Sequence, residues 1–233
     1  SGTLSESGSG TFRIQTSPGI ANGGSISARD RRPLSSVLER YRSNYDQIAQ
    51  VHIEHWKKTG RNPFQNPVFL KENEDLTVAL VEKYRMPKDR ILDAGCGMGD
   101  LLLRLVGERV GVDISKGYLD IAKSRGLEVY EYEIEEMPFQ DEFDIVLCTD
   151  VLEHVLDLNA AVRMLLKALH KGGFLIVRIP DDEPLSTNTS PYEFVHLRKF
   201  DHPSVYLLFR KIFDCEIMEM SSTEDTIHAV VRK

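Results

Sequence analysis

From Arg90 to the end of the chain, short runs rich in β-branched and aromatic residues alternate with segments of helical periodicity, and this alternation limits the possible folds most. The β-rich runs are "RILDA", "RVGVD", "LEVYEYE", "FDIVLC", "GFLIVRIP", "FDCEIMEM" and "TIHAVVRK". Helical stretches such as "SKGYLDIAKSRG" and "LNAAVRMLLKALHKGG" lie between several of them. Gly172 and Gly173 are expected to close the second of these helices before its strand begins. Strand, helix and strand repeated in this way make a mostly parallel sheet, because each parallel crossover must pass over a face and cover it. The fold class is therefore read as α/β, doubly wound, with helices on both faces.

The rest of the chain is organised differently. Residues 34–86 read as a helical lead segment, with Leu34, Val37, Leu38, Tyr41, Tyr45, Ile48, Val51 and Trp56 at mostly helical intervals. Gly60, Pro63 and Pro67 interrupt the pattern, and "NEDLTVALVEKYR" resumes it with acids first and bases last, as a helix dipole favours. Residues 1–33 are rich in Ser and Gly, a composition that buries too little apolar surface to offset its ordering entropy. The Ser-Gly beginning without Met reads as a scar or a processed start. The expected organisation is a low-complexity tail at 1–33, a helical lid at 34–86 and a Rossmann-like domain at 87–233.

At 233 residues there is room for one sizeable domain plus appendages. The net charge of −7 points away from nucleic acid and anionic membranes, which leaves a small molecule or a protein as the default partner. No apolar run approaches the roughly 20 residues of a membrane span. Cys96, Cys148 and Cys215 lack metal-like spacing and read as reduced thiols of a cytoplasmic protein.

"ILDAGCGMGD", residues 91–100, ends an apolar strand in three alternating glycines. In an open α/β sheet the first strand-to-helix turn lies closest to a bound ligand. A dinucleotide fingerprint would carry its last glycine where Asp100 stands, and Asp93 ahead of the glycines would repel a pyrophosphate but meet a cation. The ordinary alternative is a tight turn without a ligand. Asp113 ends the second strand, within reach of a ribose diol, and Ile114 can cover one face of an adenine. After the third strand Glu133 can accept from an exocyclic amine and Ile134 can offer its N–H, although acidic runs are usually just solvated. A ligand with a cationic amine, a ribose and an adenine, but no phosphate, matches S-adenosylmethionine.

In order and spacing, "ILDAGCGMGD", "VGVD", "EIEEMPF", "FDIVLCTDVLEHV" and "LLKALHKGGFLIVRIP" resemble the successive motifs of the class I S-adenosylmethionine-dependent methyltransferases, in particular the ubiquinone-pathway O-methyltransferase-like group. The resemblance implies a seven-stranded sheet of order 3-2-1-4-5-7-6 with the last strand antiparallel. It implies that Gly95 holds the methionine end, Asp113 the ribose, and Glu133 with Ile134 the adenine, with Asp93 and Gly97 beside Gly95 read as further cofactor-binding residues. The backbone of Thr149 would lie near the cofactor's amino group. Glu133 stands where Asp is commoner in the family, which lengthens the reach. The leading helices resemble the lid that many members carry.

Acceptor chemistry in such a fold belongs at the ends of the fourth and fifth strands. In "TDVLEHV", Asp150, Glu153 and His154 would share a face if the segment were one turn of helix, and such ligands suit a hard or borderline divalent cation. The plainer reading is a helix-start capping pair, Asp150 with Glu153, and a packed His154. A similar acid-x-x-Glu-His in the ubiquinone-pathway O-methyltransferases and the small-RNA 3′-terminal 2′-O-methyltransferases implies a metal role, Mg2+ or Mn2+; the latter resemblance adds His196 as a further ligand, and Asp150 stands where those families carry Glu. In the long polar segment after the fifth strand, Tyr192, His196 and Arg198 are acceptor-pocket candidates, with His154 and His196 as candidate catalytic groups. Trp56 reads as core or lid packing. The reading that gathers these features is O-methylation of a small-molecule or sugar-like acceptor. Its rivals are a terminal-ribose RNA 2′-O-methyltransferase, an N-methyltransferase, and an inactive cofactor-binding partner protein.

Overall fold

The computed structural model describes residues 34–60, 69–183, 185, 196–223 and 225–233. The expectations for the tail at 1–33, for Pro63 and Pro67, and for Tyr192 fall outside these residues. Seven strands form one sheet: β1 (Arg90–Ala94), β2 (Glu108–Asp113), β3 (Glu128–Glu131), β4 (Phe143–Thr149), β5 (Leu169–Pro180), β6 (Glu216–Ser222) and β7 (Thr226–Arg232). Their order is 3-2-1-4-5-7-6, parallel from β3 to β5, with β7 antiparallel to both neighbours. This is the expected fold. The helices are α1 (Leu34–Thr59), α2 (Phe69–Tyr84), α3 (Asp100–Arg104), α4 (Lys116–Ser124), α5 (Leu158–Ala168) and α6 (His202–Tyr206), the last running into a π-helical turn at Leu207–Ile212.

Alternate residues of a strand face opposite sides, so a sheet with both faces covered needs strands that are apolar throughout. Leu92, Val146 and Val177 point to one side and share a core with Ala161, Val162 and Leu165 of α5. Ile91, Ile145 and Ile176 point to the other and pack with Leu80 and Val81 of α2, Leu102 of α3 and Leu119 of α4. Ser115 caps α4 by accepting from Tyr118 N, and Asp157 caps α5 by accepting from Ala160 N at 2.9 Å. Cys96, Cys148 and Cys215 are buried free thiols. Among the described residues no helix is long and apolar enough to cross a membrane.

Gly172 and Gly173 do not close α5, which ends at Ala168. The amides of Asp141 and Glu142 donate to the carbonyls of Lys167 and Ala168 at 2.8 and 2.9 Å, so the helix end is satisfied from across the fold. Leu169 already pairs with Phe143 in the sheet. Gly172, at φ +83°, donates to the Lys233 carbonyl, and a Cβ on Gly173 would stand 2.8 Å from the Asp144 carbonyl oxygen. The two glycines instead let β5 pass where the β4–β5 register shifts. Chain order reverses between β1 and β4, and the crevice beyond their carboxyl ends is where such sheets hold ligands.

Candidate active site

A cavity of about 710 Å³ lies at that crevice. Asp93, Gly95, Gly97, Asp113, Ile114, Glu133, Ile134, Thr149, Asp150, Glu153, His154 and His196 all line it. The β1–β3 side is held by backbone. The amides of Gly95 and Cys96 donate to the Val112 carbonyl at 2.8 and 2.9 Å, which folds the glycine turn over β2. Gly95 lies at φ +94°, and a Cβ there would collide with Val151. Gly97, at φ +53°, has open space where its Cβ would be. Asp113 accepts from Gly97 N at 2.9 Å and from Ser115 N at 2.8 Å. Desolvation raises its carboxyl to about 6, against the pull of those amides. Asp93 is 1% exposed, and its Oδ1 has no hydrogen-bond partner among the described residues. Burial raises it to about 7, while Arg178 pulls it down and Asp113 and Glu74 push it up.

Glu133 is buried at the start of a 3-10 turn, Ile134–Glu136, and its Oε1 accepts from Arg42 Nε of α1 at 2.5 Å. One residue earlier on α1, the Tyr41 hydroxyl donates to the His154 carbonyl at 3.0 Å. Tyr41 and Tyr45 line the cavity. Further along α1, His52 hydrogen-bonds Tyr118, and Trp56 packs with Met98 and Tyr118, in keeping with a packing role.

On the β4–β5 side, charged side chains join the backbone in holding the site. "TDVLEHV" forms a turn at 152–154 rather than a helix, so neither the shared helical face nor the Asp150–Glu153 capping pair exists; the cap is Asp157 of α5. Asp150 lies at φ +55°, and its amide donates to the Arg178 carbonyl at 2.8 Å. Its Oδ2 accepts from Arg178 Nε at 3.0 Å and Nη2 at 2.5 Å. The cause is electrostatic: Arg178 is 6% exposed in a sheet strand and needs a counter-charge. Asp150 therefore stands apart from the expected metal ligands.

Glu153, His154 and His196 do come together, with donor atoms all within 4.8 Å of one another. Glu153 is 1% exposed, and neither carboxyl oxygen has a hydrogen-bond partner among the described residues. Burial first, and Asp150 second, hold its carboxyl well above the usual range. One carboxylate and two imidazoles, with two unsatisfied buried oxygens, fit a borderline divalent cation. Leu197 N donates to the Glu153 carbonyl at 2.8 Å, which brings the His196 segment against the turn. Arg198 donates to the carbonyls of Leu152 and Val155 at 2.9 and 2.5 Å and ties the turn down without lining the cavity.

Arg42 and Arg178 were not singled out from sequence. Arg178 left a visible trace, a lone charge inside the apolar run "FLIVRIP"; Arg42 is one of several charges on a long amphipathic helix and left none.

Residues 92–177 match a family model described as a methyltransferase domain. A ubiquinone biosynthesis O-methyltransferase of Alkalilimnicola ehrlichii is 36% identical over 108 residues, covering 42% of this chain and 44% of its own length. A ubiquinone/menaquinone biosynthesis C-methyltransferase of Vibrio vulnificus is 33% identical over 131 residues, covering 48% and 50%. The chain spans about half the length of the curated relatives it matches. The crystal structure of magnesium protoporphyrin IX methyltransferase from Synechocystis PCC 6803, with bound SAH, shares the fold at a TM-score of 0.64 and 18% identity, covering 83% of this chain and 99% of that one.

Proposed function

We propose that the chain, whose residues 92–177 match a methyltransferase domain, is a class I S-adenosylmethionine-dependent methyltransferase that methylates a hydroxyl oxygen of a small-molecule or sugar-like acceptor. The observation that carries this reading is the meeting, across one crevice, of an amide-pinned strand-end carboxylate and a buried Glu153–His154–His196 group. The cofactor supplies a methyl group on a sulfonium. In this reading Gly95, Gly97 and the Thr149 carbonyl take its methionine end, with Asp93 beneath as the counter-charge. Asp113 accepts from the ribose hydroxyls, Glu133 from the adenine amine, and Ile134 with Ile114 flanks the ring.

Methyl transfer is an in-line displacement, so the protein's work is alignment, exclusion of water and removal of the hydroxyl proton. Where no ion sits on the trio, His154, with His196 against it at 4.7 Å between ring centroids, is the group we assign to the proton. Glu153, His154 and His196 would hold a divalent ion such as Mg2+ or Mn2+, which lowers the pKa of a hydroxyl bound to it. Tyr41 and Tyr45 of α1 shield the cavity from water, the role expected of a lid.

Methyl-labelled cofactor, incubated with the protein and fractionated metabolites, tests the reading. A methyl ether among the products is the expected result; label on nitrogen or carbon would replace it with the chemistry found. Repeating the reaction with a chelator, then with added manganese, tests the metal. Loss followed by recovery supports an ion on the trio, and indifference to the chelator leaves the proton to the imidazoles alone.

A further inference from the structure

The Glu133 carboxylate has two oxygens, and only one is engaged. Oε1 accepts from Arg42 Nε at 2.5 Å, and no hydrogen bond reaches Oε2 among the described residues. Glutamate carries one more rotatable bond than the aspartate commoner at this place, so an adenine-binding role needs something to hold the carboxylate still. Arg42 supplies that hold: its Nε makes a charge-assisted bond that fixes the position of one carboxylate oxygen. The Glu133 side chain is 6% exposed while that of Arg42 is 54% exposed, so α1 reaches the buried acid from the solvent side.

The neighbouring residue makes this more than a local contact. Tyr41 donates to the His154 carbonyl, so one turn of α1 grips the adenine end of the cavity and the acceptor turn together. Ala49 and Trp56, farther along the helix, pack with Met98 of the glycine turn, and His52 bonds Tyr118. The helix thus touches the acceptor side at Tyr41 and the cofactor side at Arg42 and again at Ala49 and Trp56. We propose that Arg42 is a positioning residue that holds one oxygen of Glu133 so that the other meets the cofactor's adenine, and thereby ties α1 to cofactor occupancy. This rests on the assignment of the cavity to S-adenosylmethionine.

Calorimetry with S-adenosylhomocysteine on the full chain separates the possibilities. Arg42→Gln should weaken binding by about 10-fold, as expected for one charge-assisted bond lost at second hand. Arg42→Lys should recover part of the loss. In a Glu133→Ala background, Arg42→Gln should cost nothing further, because a residue that acts only through Glu133 has nothing left to act on. Hydrogen exchange should show cofactor-dependent protection of residues 38–48 in the wild type and its loss in Arg42→Gln. Unchanged or tighter binding by Arg42→Gln, or losses that simply add in the double variant, overturns the proposal while leaving the cofactor assignment intact. A wild-type chain that fails to bind the ligand overturns both.

Discussion

The two halves of the cavity are built on opposite principles. On the β1–β3 side, polar side chains face backbone amides: Asp113 accepts from Gly97 and Ser115, and the glycine turn hangs on the Val112 carbonyl. On the β4–β5 side, titratable side chains face one another, with Glu153 Oε1 3.8 Å from His154 Nε2. Arg178 takes Asp150, and Glu153 keeps two buried oxygens without hydrogen bonds among the described residues. Backbone contacts are set by the local chain and hold one shape. Buried polar oxygens without hydrogen bonds are costly, and a fold tolerates them where a ligand will supply the missing contact. In the proposed reading the first half receives the cofactor and the second carries out the chemistry.

The largest effect should come from the second half. His154→Ala should lower methyl transfer by about 10²–10⁴-fold, the usual weight of a general base, with S-adenosylhomocysteine affinity nearly unchanged. Turnover at the wild-type rate by a folded variant would remove His154 from the chemistry and make the two halves alike.

Asp93 sits at the seam, and its test is one of pH. Its folded-state pKa, about 7, is raised above the unfolded value, so its contribution to stability is complete below the unfolded pKa and is lost as pH rises through about 7. Asp93→Asn escapes that loss. Relative to wild type, the variant should gain roughly 2–4 kcal/mol between pH 5 and pH 8, the scale of a shift of this size in a buried acid. Urea titrations at both pH values measure it, and a stability difference that does not move with pH would refute the desolvated carboxylate.

On the cofactor side, Asp113→Ala should cost about 1.5–3 kcal/mol of cofactor binding, since a charge-assisted bond goes and two amides lose their acceptor. Calorimetry is the check; equal affinity would strip the pinned carboxylate of its role. The smallest effect belongs to the scaffold behind both halves. Asp157→Ala removes the α5 cap and should cost about 1 kcal/mol of stability, read from a melting curve, with cofactor affinity untouched. A change in affinity there would mean that the halves are not independent of the helix between them.

What the sequence determined by itself is local or periodic. Apolar runs separated by amphipathic helices dictate an α/β sheet, because only that arrangement covers strands that are apolar on both sides. Three glycines after a strand-end aspartate, and Asp113 at the next strand's tip, are readable because turn, strand and receptor are made by consecutive residues. Tertiary structure decided whatever depended on a partner distant in the chain. Gly172 and Gly173 look like a helix stop, yet α5 is closed earlier by the amides of Asp141 and Glu142. Asp150 with Glu153 spells a helix cap, yet a buried arginine on the neighbouring strand captures the aspartate and the segment becomes a turn. Arg42 reaches Glu133 across 91 residues of chain, and no spacing announces it. Hydrophobic periodicity is a property of a segment and can be read from it. A counter-charge is a property of a place, and the place exists only once the chain has folded.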